Sequence, residues 1–373
     1  MIVSTILTWR LAAIFAGSFV ICALLVLTQR WHGRLSLDHD LAGVQKIHAK
    51  PVPRVGGLGL AFGLIIAVLA GYLTGGTTYP TTLVLLACAT PVFLTGLAED
   101  LTKTVRVRTR LLASFASAAL AIWVLDIRYT DLDTVLLDSL IRHPVVSVLF
   151  TVFAVGGVTH SINIVDGLNG LAAGTVSIML AGLATLAWMH GDMLVMKLCL
   201  WGIASMGGFL LFNYPFGRIF LGDGGAYLAG FWLAQCGVML LERNPRMSAW
   251  ALMLVWIYPV WETVFSMYRR RVRDGIATGQ ADLGHMHQLL YRNLRIKNRG
   301  QGKPSQEWLR HGLASATIWA TVLGCQIIAV LASESTAITC LAVWTYAAGY
   351  VWVYRQLNAN GENLRQVAHV ANA

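Results

Sequence analysis

Apolar runs of about 20 residues recur along the whole chain, and that is the length needed to cross the hydrocarbon core of a bilayer as a helix. They lie near 5–29, 58–74, 81–98, 109–127, 144–162, 170–189, 193–212, 225–241, 248–267, 311–332 and 336–354. Backbone polar groups in lipid must be satisfied within the segment, so such runs can only be helices. Composition agrees: 56% of residues are apolar and 12% charged, against roughly a quarter charged in soluble domains. The expected fold is therefore all-α, a polytopic integral membrane protein of about eleven transmembrane helices. Residues 1–373 read as one membrane-embedded domain, with 268–310 as a long basic cytoplasmic loop inside it. The first run lacks a small-residue cleavage pattern and continues into Arg30 and Arg34, so it reads as a retained helix.

The formal net charge of +10 would point to nucleic acid in a soluble protein. In a membrane protein, excess Lys and Arg first means loops held on the cytoplasmic side, so no nucleic-acid partner is expected. The loops 30–57, 98–108, 163–169, 213–224, 268–310 and the tail from 355 hold most of the 28 Lys and Arg. The alternate connections are short or acidic, as in DIRYTDLDTVLLDS at 126–139. That pattern puts the N terminus on the periplasmic side and the C terminus in the cytoplasm. All six cysteines fall within apolar runs without a CxxC pair, and read as small packing residues.

Clusters rich in Asp, Asn, His and Gly all fall on the cytoplasmic side of this topology. A transporter tends to place ionisable groups near mid-membrane on broken helices; gathering them at helix ends favours an enzyme where a cytosolic substrate meets a lipid. LAEDLTKTVRVRTR at 97–110 carries Glu99, Asp100, Lys103 and Arg110, with Arg106 and Arg108 adequate as membrane anchors. HSINIVDGLNGLAAG at 160–174 spaces Asn163, Asp166 and Asn169 by three, which puts polar groups on one helix face; Asp-Gly and Asn-Gly are also ordinary turn pairs. NYPFGRIFLGDGGAYLAG at 213–230 sets Asp223 at the start of an apolar helix. A helix N terminus suits phosphate, and a neighbouring carboxylate suits a divalent cation, although Asp is equally a common cap. YRRRVRDG at 268–275 and ADLGHMHQLLYRN at 281–293 supply Arg269, Arg270, Arg271, Asp282, His285 and His287. Anchoring is the first reading of the arginines, with a substrate diphosphate as the second; in an irregular loop both histidines can approach one phosphate or metal, but no cysteine stands near to complete a zinc site.

Together these motifs, from KIHAKPVPRVGG at 46 to HMHQLLYRN at 285, resemble the polyprenyl-phosphate N-acetylhexosamine-1-phosphate transferases. These membrane enzymes begin O-antigen and other cell-envelope polysaccharides in bacteria, and the muramyl-pentapeptide phosphotransferases are their relatives. The resemblance implies Mg²⁺-dependent transfer, with Mn²⁺ able to substitute, of a sugar 1-phosphate from a UDP-sugar to undecaprenyl phosphate in the inner membrane, releasing UMP. It also allows a homodimer. Two polyanions must then be held together, with a metal, Lys and Arg offsetting their repulsion.

By the same resemblance, Asp100 deprotonates or orients the lipid phosphate or sits beside the metal, with Glu99 as its neighbour. Lys103 faces the nucleotide diphosphate. Asn163 and Asp166 contribute to nucleotide and metal binding, Asp223 is a metal ligand, and His285 and His287 lie near the phosphates. Asn213 and Arg271 are further substrate contacts, Arg110 a phosphate contact, and Lys46, His48 and Arg54 guide the lipid head group. Two positions depart from the family pattern: Glu99 stands where the acidic pair usually has Asp, and Gln288 where a further His often follows. The second separates the chain from the muramyl-pentapeptide branch and favours a polysaccharide-initiating enzyme. A multi-span transporter or flippase for a lipid-linked or anionic solute is the alternative.

Overall fold

The computed structural model describes residues 2–37, 51–273, 275, 282, 284–297 and 307–370. Helices α1 (Ile2–Leu27), α2 (Gln29–Ser36), α3 (Gly57–Leu73), α4 (Tyr79–Thr102) and α5 (Val107–Leu125) come first. A short α6 (Val135–Ile141) precedes α7 (Pro144–Val165), α8 (Leu171–Met189), α9 (Met193–Asn213) and α10 (Gly222–Arg243). Then follow α11 (Ala249–Val255), α12 (Ile257–Tyr268), a π-helical turn at Arg269–Arg273, α13 (Met286–Lys297), α14 (Glu307–Leu331) and α15 (Thr336–Val370). Among the described residues nine helices are long and apolar enough to span a membrane; α11 and α12 form a bent tenth, and α3 is a shorter apolar helix. Every apolar run of the sequence thus lands on one of these elements, and the chain is a multi-pass membrane protein. Trp123 and Leu331, each 81% exposed, are among the apolar side chains on the outer, lipid-facing surface.

The centre of the bundle is α10, buried from Gly222 to Leu241 and packed against α3, α4, α7, α8 and α9. In lipid, helices associate through close packing of small residues rather than through expulsion of water. Two contacts at the start of α10 depend on this. A Cβ on Gly96 of α4 would stand 2.6 Å from Gly224 Cα, and one on Gly57 of α3 would stand 2.4 Å from Gly225 N. Any side chain there would push α3 or α4 away from the first turn of α10.

The run at 248–267, expected as one straight span, is instead bent by 77° between α11 and α12. The cause is visible in the sequence: Pro259 has no N–H to give the carbonyl four residues earlier, and its ring crowds that carbonyl. The carbonyl belongs to Val255, which receives Gln326 Nε2–H from α14 at 3.1 Å instead. The bend aims α12 toward α7 and α15.

The two ends of the bundle differ in kind. At one end, loop contacts fasten connections: Arg243 pairs with Asp192 at 2.6 Å, and Thr130 donates through N–H and Oγ to Glu242. The other end gathers the C termini of α4, α7, α9 and α12 with the N termini of α3, α5, α8 and α10. All the motif residues that the structure describes lie there.

Candidate active site

The sequence motifs converge on the first turn of α10. Its opening residue, Gly222, has φ +75°, and a Cβ there would meet the Arg54 carbonyl and the Asp100 carboxylate. Only glycine lets the chain turn so tightly between them. The N–H groups of Asp223 and Gly224 then donate to Asp100 Oδ1 and Oδ2 at 2.8 and 2.9 Å. Free N–H groups at a helix start attract an anion. Here the anion is a carboxylate from α4, so Asp100 is the cap of α10 supplied by another helix.

The opening segment of α3 is bound to the same turn. Phe220 N–H donates to the Pro53 carbonyl at 2.8 Å, and the N–H groups of Gly56 and Gly57 donate to Phe220 and Leu221, each at 2.9 Å. This pairing delivers Arg54 to both acids: its Nη2 lies 3.3 Å from Asp223 Oδ1 and 3.7 Å from Asp100 Oδ1. Arg110, one turn into α5, pairs with Asp223 Oδ2, and Asn163 Nδ2–H donates to Asp223 Oδ1 at 3.1 Å. Asp223 is therefore held at once by the segment leading into α3, by α5 and by α7.

Asp166 follows directly on the end of α7. Burial pushes its carboxyl up to about 7, Arg54 opposes that, and the charge of Asp223 adds to it. Among the described residues neither of its oxygens accepts a hydrogen bond. Beside it, a Cβ on Gly167 would stand 2.3 Å from His287 Nε2, so the histidine loop packs onto this turn. His287 is buried, and among the described residues its Nδ1 has no partner. Burial, and after it the neighbouring His285, lowers its pKa to about 4. The two rings stack with centroids 5.5 Å apart and planes 8° from parallel.

Other residues named by the motifs have different surroundings. Glu99 points back along its own loop and accepts Val105 N–H at 2.8 Å, fixing the turn that follows α4. Lys103 ends α4 in a left-handed conformation, φ +56°, and is exposed. Asn213 joins two backbones: it accepts Gly170 N–H at 2.6 Å and donates to the Ile219 carbonyl at 2.7 Å. Arg271 is exposed on the π turn, whereas Arg269 and Arg270 are buried. Lys46 and His48 lie outside the described residues. Glu262 of α12, which sequence reasoning passed over, is buried and bound to His285. The signal was present, because a lone acid inside an apolar run is a functional marker.

The position of Glu99 gives a direct test. Glu99→Gln keeps an acceptor for Val105 N–H and, on the Mg²⁺-dependent transfer that the resemblance implies, is expected to leave turnover and metal dependence near wild type. Glu99→Ala loses the bond and is expected to lower turnover by about tenfold, the scale of one hydrogen bond. Titrating activity against Mg²⁺ checks both, and a large loss of metal affinity in the Gln variant would overturn the loop-fixing role.

The donor set can be compared with what a divalent cation requires. Among the described residues no three His, Cys, Asp or Glu side chains converge as a closed protein cage would need. Mg²⁺ favours another arrangement, one or two carboxylates completed by waters and substrate phosphates. Asp166 and Asp223 with the carbonyl oxygen of Asn163 offer hard oxygen donors of that kind, and they fit it.

Residues 82–241 match the family described as glycosyl transferase family 4, a span that holds α4, α5, α7 and α10. The chain is 27% identical over 252 residues to a probable undecaprenyl-phosphate N-acetylglucosaminyl 1-phosphate transferase of Bacillus subtilis, covering 67% of this chain and 69% of that one. It is 38% identical over 116 residues to a phospho-N-acetylmuramoyl-pentapeptide-transferase of Lacticaseibacillus paracasei, 31% and 34% of the two chains. A protein of that same name from Streptococcus mutans is 24% identical over 252 residues, 64% and 72% of the two. Across the helices that bring Asp100, Arg110, Asn163, Asp166 and Asp223 together, this chain is similar to the family 4 glycosyl transferases.

Proposed function

We propose that the protein transfers an N-acetylhexosamine 1-phosphate from its UDP-sugar to undecaprenyl phosphate, forming a lipid-diphosphate-linked sugar that initiates O-antigen or another cell-envelope polysaccharide. The observation that carries this reading is the Asp223 carboxylate, held by Arg54, Arg110 and Asn163 beside Asp100 and Asp166 at one end of a membrane bundle. Such a site opens where a soluble nucleotide and a lipid phosphate can meet. The similarity to undecaprenyl-phosphate and phospho-N-acetylmuramoyl-pentapeptide transferases supports it, and the basic loops favour a cytoplasmic orientation of this end in a bacterial inner membrane.

In this mechanism a lipid phosphate oxygen bonds to the β-phosphorus, the bond from that phosphorus to the bridging oxygen breaks, and UMP leaves with the oxygen. Bound Mg²⁺ supplies charge neutralisation across the diphosphate. Asp166, Asp223 and Asn163 would hold it. Arg54 lies between Asp100 and Asp223, where its charge favours the approach of the lipid phosphate. Arg110 and Lys103 flank the diphosphate. Asp100, fixed by two backbone N–H groups, keeps the first turn of α10 in register with α4 so that these charges stay placed.

The decisive experiment incubates purified protein with undecaprenyl phosphate, Mg²⁺ and a panel of UDP-N-acetyl sugars, and measures UMP and lipid-linked product. Both products are expected with one sugar of the panel. Movement of a solute across vesicles without UMP would replace this reading with a transporter.

A further inference from the structure

Glu262 is buried in the bent span and takes no part in the carboxylate cluster. Three donors surround it. His285 Nδ1 lies 2.9 Å from Oε1, Met286 N–H donates to the same oxygen at 3.2 Å, and the Tyr350 hydroxyl of α15 donates to Oε2 at 2.8 Å. A carboxylate accepting from a backbone N–H and a phenol presents only lone pairs to the imidazole. The proton of His285 is therefore secured on Nδ1. The other nitrogen, Nε2, is 3.4 Å from Asp282 Oδ2, an oxygen already engaged by Ser266 and Arg269. The plane of His285 is thus fixed from one side by Glu262, and His287 stacks on its face against Gly167, next to Asp166.

We propose that Glu262 is a positioning residue: through His285 Nδ1 it fixes the tautomer and plane of that ring, and with them the seat of His287 on the Asp166–Gly167 turn. The bend at Pro259 is what brings α12, and so Glu262, against this loop, while Tyr350 locks the same carboxylate to α15. Only the kinetic part of the test rests on the transfer reading above.

The test uses the full chain in nanodiscs with ¹⁵N-labelled histidine. The wild-type His285 signal is expected to show a protonated Nδ1. Glu262→Ala should give mixed tautomers and lower kcat by ~10–100-fold, the usual range for a lost orienting partner, with KM for the UDP-sugar changed by less than about twofold. Glu262→Gln keeps a carbonyl acceptor, the Tyr350 hydroxyl can rotate to accept its amide, and most of both properties should return. In a His285→Ala background, Glu262→Ala should cost nothing further. A wild-type ring protonated only at Nε2 overturns the proposal, as does unchanged kcat in Glu262→Ala or additive losses in the double variant. If Glu262→Ala fails to fold, the wild-type spectrum and Glu262→Gln still decide. A wild-type protein that releases no UMP from any sugar defeats the transfer reading, and leaves the tautomer result to judge Glu262.

Discussion

Asp223→Asn is expected to abolish measurable UMP release, a loss of at least about 10³-fold. Two effects combine. An amide cannot serve as an anionic oxygen donor to a divalent cation, and charge placement of this kind is worth ~10²–10³ for a single lost group. The variant also takes a shared carboxylate partner from two cations. Arg54 and Arg110 both face Asp223, whose side chain is 10% exposed, and breaking a buried pair by removing one partner costs ~3–5 kcal/mol. Arg54 is 27% exposed and Arg110 14%, so solvent screening brings the expected loss of stability to about 2 kcal/mol. Melting in detergent and titration with the UDP-sugar separate the two effects: a folded variant that binds nucleotide but does not turn over is the expected result. Near-normal turnover would remove Asp223 from the site.

The second large effect is expected at Asp100. Asp100→Asn keeps one acceptor for the two N–H groups of Asp223 and Gly224 and turns its own NH₂ against the other. A buried donor facing a donor costs ~1–3 kcal/mol. The first turn of α10 should loosen, and hydrogen–deuterium exchange in a peptide covering residues 219–228 should rise in the variant. UMP release is expected to fall by ~10²–10³-fold, because a small misplacement of reacting groups has that scale. Lost activity with unchanged exchange would make Asp100 purely chemical and deny it the capping role. Fast exchange with intact activity would make it purely structural.

Much of this is legible in the sequence. The apolar runs gave the helices because lipid leaves the backbone no other way to satisfy itself. Asp100, Asn163, Asp166, Asp223 and Arg110 stand out in the sequence because ionisable and amide side chains at the ends of membrane helices are rarely idle. Their partners do not. That Asp100 caps a helix 123 residues away, or that Asn213 ties Gly170 to Ile219, depends on which helix ends meet, and periodicity carries no such information. The phosphate site expected at the start of α10 is the clearest revision: its leading N–H groups are taken by Asp100. The bend of the 248–267 run could have been read from Pro259, whose effect on the preceding turn is local. Glu99, the odd member of the acidic pair, turns out to fasten a loop, a role for which Glu reaches farther than Asp.

The contacts of Gly57 and Gly96 with Gly225 and Gly224 bear on how this protein can change over time. The separation of the carboxylates is set where three backbones touch, so it cannot be adjusted by degrees: the smallest side chain at either glycine moves a whole helix and the acid or arginine it carries. On the proposed transfer, specificity for a different sugar would have to be acquired in the loops around the cluster, while the spacing of the charges themselves is inherited almost as a fixed gauge.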